Sequence, residues 1–330
     1  MRLFTISPTA KTKTICTAGV ILLIALAVVS LFTGKYPLSF EKLIAGDPMQ
    51  RQIFFTLRLS RMLVGVIGGF VLGISGFVYQ TVFRNSLASP DIIGVNSGAS
   101  AGAAAGILFF SGAASVTACS FAGALTAVIL SLALSRLDRS SKNSTIVLAG
   151  ISVHALAQTV LMWLKLTADP ERELASIEYW IMGSLGGISN NSIGWNLILC
   201  ILCTILLFLL HRQILLLSAE EGEARMLGVA TGSLRLFILL TATLAIASVI
   251  SLTGLISFVG LLAPHSARLL TKNNRIGTMF LSGILGAILL CSADILVKSA
   301  AASELPVSIF TSLLGAPFLI FLIVRGRKEL

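Results

Sequence analysis

Of 330 residues, 56% are hydrophobic and only 12% charged, and the mean hydropathy is +0.96. A soluble domain carries about 25% charged residues, so this chain has too few to cover a water-facing surface and reads as an integral membrane protein. The net charge of +10 comes without a basic patch of interleaved aromatics, so no nucleic acid is expected as a partner.

A spanning helix needs roughly 20 apolar residues to cross about 30 Å of hydrocarbon, and the charges are spaced to allow this repeatedly. Lys11 and Lys13 precede the run 15–33, which is longer than a secretory signal core and lacks a clear small-residue cleavage site. It reads as a first span, retained. Arg58 and Arg61 precede an uncharged run that ends at Arg84. The run 92–135 is long enough for two spans, hinged near Ser111 and Gly112. Further uncharged runs cover 143–164, 179–210, 276–293 and 305–324. The run 236–267 holds one span and part of another, broken within "SLTGLISFVG" (251–260) by Gly254 and Gly260. The expected fold is all-α and polytopic, with about ten transmembrane helices in a single domain, 1–330.

Alternating these spans from an inside N-terminus puts 16 of the 24 basic residues on one side with six acids. Eight basic and eight acidic residues fall on the other. This is a positive-inside bias, and it places both termini in the cytoplasm and the protein in the cell membrane, in contact with lipid.

Gly98, Gly102 and Gly106 recur every four residues among Ala and Ser, and Gly65, Gly69, Gly73 and Gly76 give the preceding span a similar stripe. Membrane helices pack closely through such small-xxx-small faces. All five cysteines lie in apolar runs, and Cys200-x-x-Cys203 has no second pair with which to bind a metal. His154 lies within the fifth span, where a packing role needs only a hydrogen bond and a ligand role needs partners. No metal site is expected. No G-x-x-x-x-G-K-[ST] occurs, so ATP is not cradled here by a P-loop, and no catalytic residue is assigned.

The segment "RLSRMLVGVIGGFVLGISGFVYQTVFRNSLASPDIIGVNSGASAG" (58–102) resembles the signature of ABC-importer permeases for iron-siderophore complexes, haem and cobalamin. The resemblance continues, in family order, through "IVLAGISV" (146–153), "YWIMGSLGG" (179–187), "GLISFVGLLAPHSARLL" (254–270), "SADILVK" (292–298) and "ELPVSIFTSLLGAPFLIFLI" (304–323). Ser60 and Ser86 stand where that signature has prolines, which removes a φ constraint at each position.

The resemblance implies about ten helices per subunit, two permease subunits per transporter as a homodimer or paralogous pair, two copies of an ABC ATPase subunit that holds the ATP, and an extracytoplasmic solute-binding protein. It also assigns residues. Arg58, Arg61 and Lys298 become docking cations for the binding protein, although boundary anchors that snorkel would look the same. Asn85, Leu87, Asn143 and Ser144 match positions of a cytoplasmic gate, with helix capping as the other role for Asn143 and Ser144. Within the charged interruption 212–235, Glu221, Ala224, Arg225 and Gly228 fall on the family's ATPase-coupling loop. Acids early and a base late also suit a short surface helix. The expected cargo is an iron(III)-siderophore complex, with haem and cobalamin as alternatives. A secondary transporter usually carries intramembrane acids, and the uncharged runs offer none.

Overall fold

The structure, a computed structural model, describes residues 10–137, 143–188, 190–218, 231–300 and 305–326. All the regular structure of these residues is helical. The first long helix, α1, spans Ala10–Phe32. Two short helices follow, α2 (Phe40–Ile44) and α3 (Pro48–Gln52), and α3 is capped by the Asp47 carboxylate, which accepts from the Met49 and Gln50 amides. A π-helical turn at Ile53–Arg58 leads into α4 (Leu59–Val82). A 3₁₀ turn at Pro90–Ile93 opens α5 (Val95–Phe109), which is followed by α6 (Ala113–Ser135) and α7 (Asn143–Thr167). Next come α8 (Glu173–Met182), α9 (Asn190–Leu209) and α10 (His211–Leu216). The chain continues as α11 (Thr231–Thr253), α12 (Val259–Thr271), α13 (Ile276–Ala300) and α14 (Val307–Gly326).

Six helices are long and apolar enough to span a bilayer, and stretches of α5, α9 and α14 form three shorter apolar helices. That makes nine apolar helices among the described residues, and the 13-residue α12 is not one of them. Both expected breaks are present, but Gly254 alone makes the second, since Gly260 lies inside α12. The chain turns at Gly112, whose φ is 96°, between α5 and α6. It leaves helix between Thr253 and Val259, where Gly254 sits at φ 69°.

The small-residue faces set the packing. A Cβ added to Gly73 would lie 2.1 Å from the Ser282 carbonyl oxygen, and one on Gly69 would lie 2.6 Å from that of Gly286. So α4 lies antiparallel against α13 with backbone touching backbone. Likewise, a Cβ on Gly102 would meet the Cys119 carbonyl oxygen at 2.2 Å, and one on Gly98 that of Gly123 at 2.5 Å, which pairs α5 with α6.

Burial sorts the helices. In α4 and α11, 72% of the most apolar window is buried, against 22% in α7 and 6% in α1. The pair α4 and α11 is therefore the centre of the bundle, joined through a 2.7 Å hydrogen bond between the Tyr79 and Thr243 hydroxyls. α1 hangs on the periphery along α13, where Gly19 faces Ile284.

Candidate functional site

At one end of the bundle, where α1 ends and α4 begins, three helices converge on a single carboxylate. Asp294, on α13, is 2% exposed. The Arg61 Nε donates to its Oδ1 at 2.7 Å, and the Lys298 Nζ lies 2.6 Å from its Oδ2. Asp294 and Lys298 are four apart on one helix, the spacing that brings two side chains to the same face. The Ser30 hydroxyl, from α1, reaches the same Oδ2 at 3.3 Å, and Lys298 also donates to the Ser30 hydroxyl and carbonyl oxygens. Arg58, 7% exposed, donates through one terminal nitrogen to the Leu31 carbonyl at 3.0 Å and through the other to that of Tyr36.

Arg58, Arg61 and Lys298 line a cavity of about 230 Å³ together with Lys35, Tyr36 and Gly186. Arg58, Arg61 and Lys298 are thus brought together, as their shared assignment requires. They are not three free surface charges, however: each is largely buried and engaged within the chain. The sequence left open whether Asp294 or Glu304 pairs with Lys298, and it is Asp294 that organises all of them. The one available signal was the i,i+4 spacing in "SADILVK", which places Asp294 and Lys298 on one helical face.

The opposite end of α4 is held from two sides. Arg268, on α12, donates to the Gln80 side-chain oxygen, to the Thr81 hydroxyl at 3.0 Å and to the Phe77 carbonyl at 3.4 Å. Its guanidinium also stands 4.7 Å over the Phe77 ring. The Gln80 amide returns a bond to the Leu261 carbonyl at 3.1 Å, so α12 and the last turn of α4 form one unit. Arg268 was not singled out by the sequence reading, because a lone arginine in "APHSARLL" carries no partner with it.

Beyond this clamp the chain makes the loop that contains Asn85 and Leu87. The Asn85 side chain accepts from the Leu87 amide at 2.9 Å, and its carbonyl accepts from the Ala88 amide at 3.0 Å. This Asx-type turn needs no proline, which accounts for the tolerance of Ser86. Leu87 is 56% exposed at the tip of the loop. The loop is pinned again at its far side, where the Ser131 hydroxyl donates to the Ile93 carbonyl at 2.9 Å and a Cβ on Gly150 would lie 1.9 Å from the Ile92 oxygen.

Asn143 and Ser144 form the start of α7, and their side chains lie outside the described set. Glu221, Ala224, Arg225 and Gly228 also lie outside the described residues. His154 is exposed on α7, and the Gly94 turn packs against its backbone. Cys200 and Cys203 are buried, and no group of three metal-ligating residues occurs among the described residues.

A bundle of six long and three shorter apolar helices with close-packed glycine faces, a buried ionic cluster at one end and an exposed loop at the other defines a polytopic membrane permease. Residues 22–325 match the FecCD transport family, and the chain belongs to that family. It is a multi-pass inner-membrane protein. It is 32% identical to the molybdate import system permease protein MolB of Haemophilus influenzae, over 93% of this chain and 94% of that one. It is 34% identical to the cobalamin import system permease protein BtuC of Halobacterium salinarum, over 86% of this chain and 76% of that one. A solved inward-facing structure of an ABC transporter assigned to the metal-chelate type superposes with a TM-score of 0.84, at 30% identity, covering 95% of this chain and 99% of that one.

Proposed function

We propose that this permease imports iron(III)-siderophore complexes, received from an extracytoplasmic solute-binding protein and driven by two copies of a separate ABC ATPase subunit. The observation that supports it most is the likeness over 95% of the chain to a transporter assigned to the metal-chelate type. A siderophore supplies all the ligands to its own iron, so the permease needs a wide and weakly interacting path rather than a metal site.

In this reading the cavity around Arg58, Arg61 and Lys298 faces outward. Four cations, Lys35 among them, against the single acid Asp294 leave it positive, suited to an acidic side chain of the binding protein. The loop at Asn85 and Leu87, with Asn143 and Ser144, forms the cytoplasmic gate. The segment with Glu221, Ala224, Arg225 and Gly228 seats in the ATPase.

A second reading rests on the match to the molybdate permease: the cargo is a small oxyanion. Uptake into vesicles containing the permease, its ATPase and its binding protein separates the two. ATP-dependent accumulation of radiolabelled iron-siderophore, uncompeted by molybdate, is the expected result. Molybdate, haem or cobalamin uptake without iron-siderophore uptake overturns it. Uptake that survives ATP depletion under an ion gradient overturns the ATP-driven class itself.

A further inference from the structure

The C-terminus of α4 closes in a way that isolates one side chain. The Asn85 amide donates back to the Gln80 carbonyl at 3.1 Å, and the Arg84 amide to the Thr81 carbonyl at 3.3 Å. This pair of bonds is the Schellman closure, whose C′ residue adopts the left-handed conformation and is usually glycine. Here that residue is Arg84, at φ 51°. A side chain in this region is disfavoured sterically, and such an outlier beside a functional loop directs attention to what its side chain does.

The Arg84 Nε donates to the Leu217 carbonyl at 3.3 Å, across 133 residues of chain. Leu217 is 1% exposed and Ile214 beside it 0%, so that carbonyl belongs to a packed segment. The same segment runs directly into the one assigned to the ATPase. On the other side of Arg84 the chain enters the Asn85–Leu87 turn. Arg268 and Gln80 hold the preceding helical turn to α12, and Ser131 and Gly150 hold the far side of the loop, as described above. Arg84 therefore sits where the loop leaves the clamped helix, and its side chain crosses to the segment that leads to the engine.

We propose that Arg84 is a positioning residue of the transport cycle: its bond to Leu217 ties the movement of the ATPase-facing segment to the gate loop. The inference rests on the gate and coupling roles proposed above. The alternative is a cation that only complements the partial negative charge at a helix C-terminus.

Arg84→Gly separates the two, because glycine is the residue that the backbone conformation favours. The experiment uses the whole transporter, reconstituted with its ATPase and binding protein and lacking native cysteines, with Leu87→Cys as the reporter of gate position. In Arg84→Gly, insertion and thermal stability are expected to equal or exceed those of the parent. The cargo moved per ATP hydrolysed should fall by roughly 3- to 30-fold, the range of single-residue coupling effects. The nucleotide response of Leu87→Cys crosslinking should fall with it. Arg84→Lys, which keeps the charge and a donor, should recover part of both.

Unchanged coupling and an unchanged crosslink response in Arg84→Gly overturn the proposal and leave the helix-terminus role. Failure of Arg84→Gly to insert overturns it too, in favour of a purely structural role. If the parent carrying Leu87→Cys shows no nucleotide response at all, the gate assignment has failed, and that result is distinguishable from loss of the response in Arg84→Gly alone.

Discussion

At Gly73 one added carbon would meet a backbone oxygen at 2.1 Å, and backbone cannot rotate away as a side chain can. Gly73→Ala forces α4 and α13 apart and is expected to cost about 1–3 kcal/mol or more. Gly194→Ala, where nothing lies within 4 Å of the added carbon, is expected to be neutral or slightly stabilising, since Ala favours helix over Gly by about 1 kcal/mol. Thermal unfolding of the two purified variants in detergent checks the contrast, and equal shifts would remove the packing argument. The ionic cluster predicts a similar asymmetry. Asp294→Ala strands two buried cations and should destabilise by about 3–5 kcal/mol. Lys298→Met should cost distinctly less, because Asp294 retains Arg61 at 2.7 Å. The same residues test docking: neutralising Arg58 as Gln should slow association of the binding protein and flatten its salt dependence. Association kinetics unaltered at low and high salt would reduce Arg58 to a clamp on the Leu31 and Tyr36 carbonyls.

Among the elements, the segment 220–229 carries the coupling hypothesis, through its match to the family's ATPase loop. Gly228→Pro or Ala224→Glu is expected to leave the protein inserted, to uncouple ATP hydrolysis from uptake and to weaken co-purification with the ATPase. Normal uptake by either well-expressed variant counts against the assignment. The helix breaks at Gly112 and Gly254 were legible in the sequence, because run length and glycine are local signals. The glycine stripes were legible as faces, but what each face meets was not: Gly98 finds Gly123 only once α5 and α6 lie antiparallel. The π-helical turn at 53–58, the short α2 and α3, and α8 were not anticipated. They are too short or too mixed in polarity to give a periodic signal, and neighbouring segments hold them in place. Lys165 on α7, for instance, pairs with Glu178 on α8 at 2.8 Å. The pairing of Asp294 stayed open for the same reason: three of the groups around it come from α1, α4 and its own helix, and no single window of sequence contains them.

At the scale of the whole molecule, the ionic cavity and the Asn85–Leu87 loop proposed as a gate lie at opposite ends of α4, the most buried of the long helices together with α11. A path between those ends needs a second wall, and the chain offers an uncovered face for one. Along α7, Leu148, Ile151, Leu156 and Leu166 are 57–84% exposed, an apolar surface for lipid or a second permease. If two subunits meet so that Asn85, Leu87, Asn143 and Ser144 approach a twofold axis, the exposed tip at Leu87 of one subunit comes close to that of the other when the gate is shut. Leu87→Cys or Ser144→Cys, in a background without the five native cysteines, should then crosslink between subunits, with a yield that changes on nucleotide binding. A bulky thiol label at either position should block uptake without releasing the ATPase. Crosslinking indifferent to nucleotide, or uptake that continues past the label, would place these residues off the path and leave Asn143 and Ser144 with capping as their role. The ionic cavity makes the complementary test, because a label near Gly186, at the other end of the bundle, should impede the binding protein while leaving the nucleotide response at Leu87 in place.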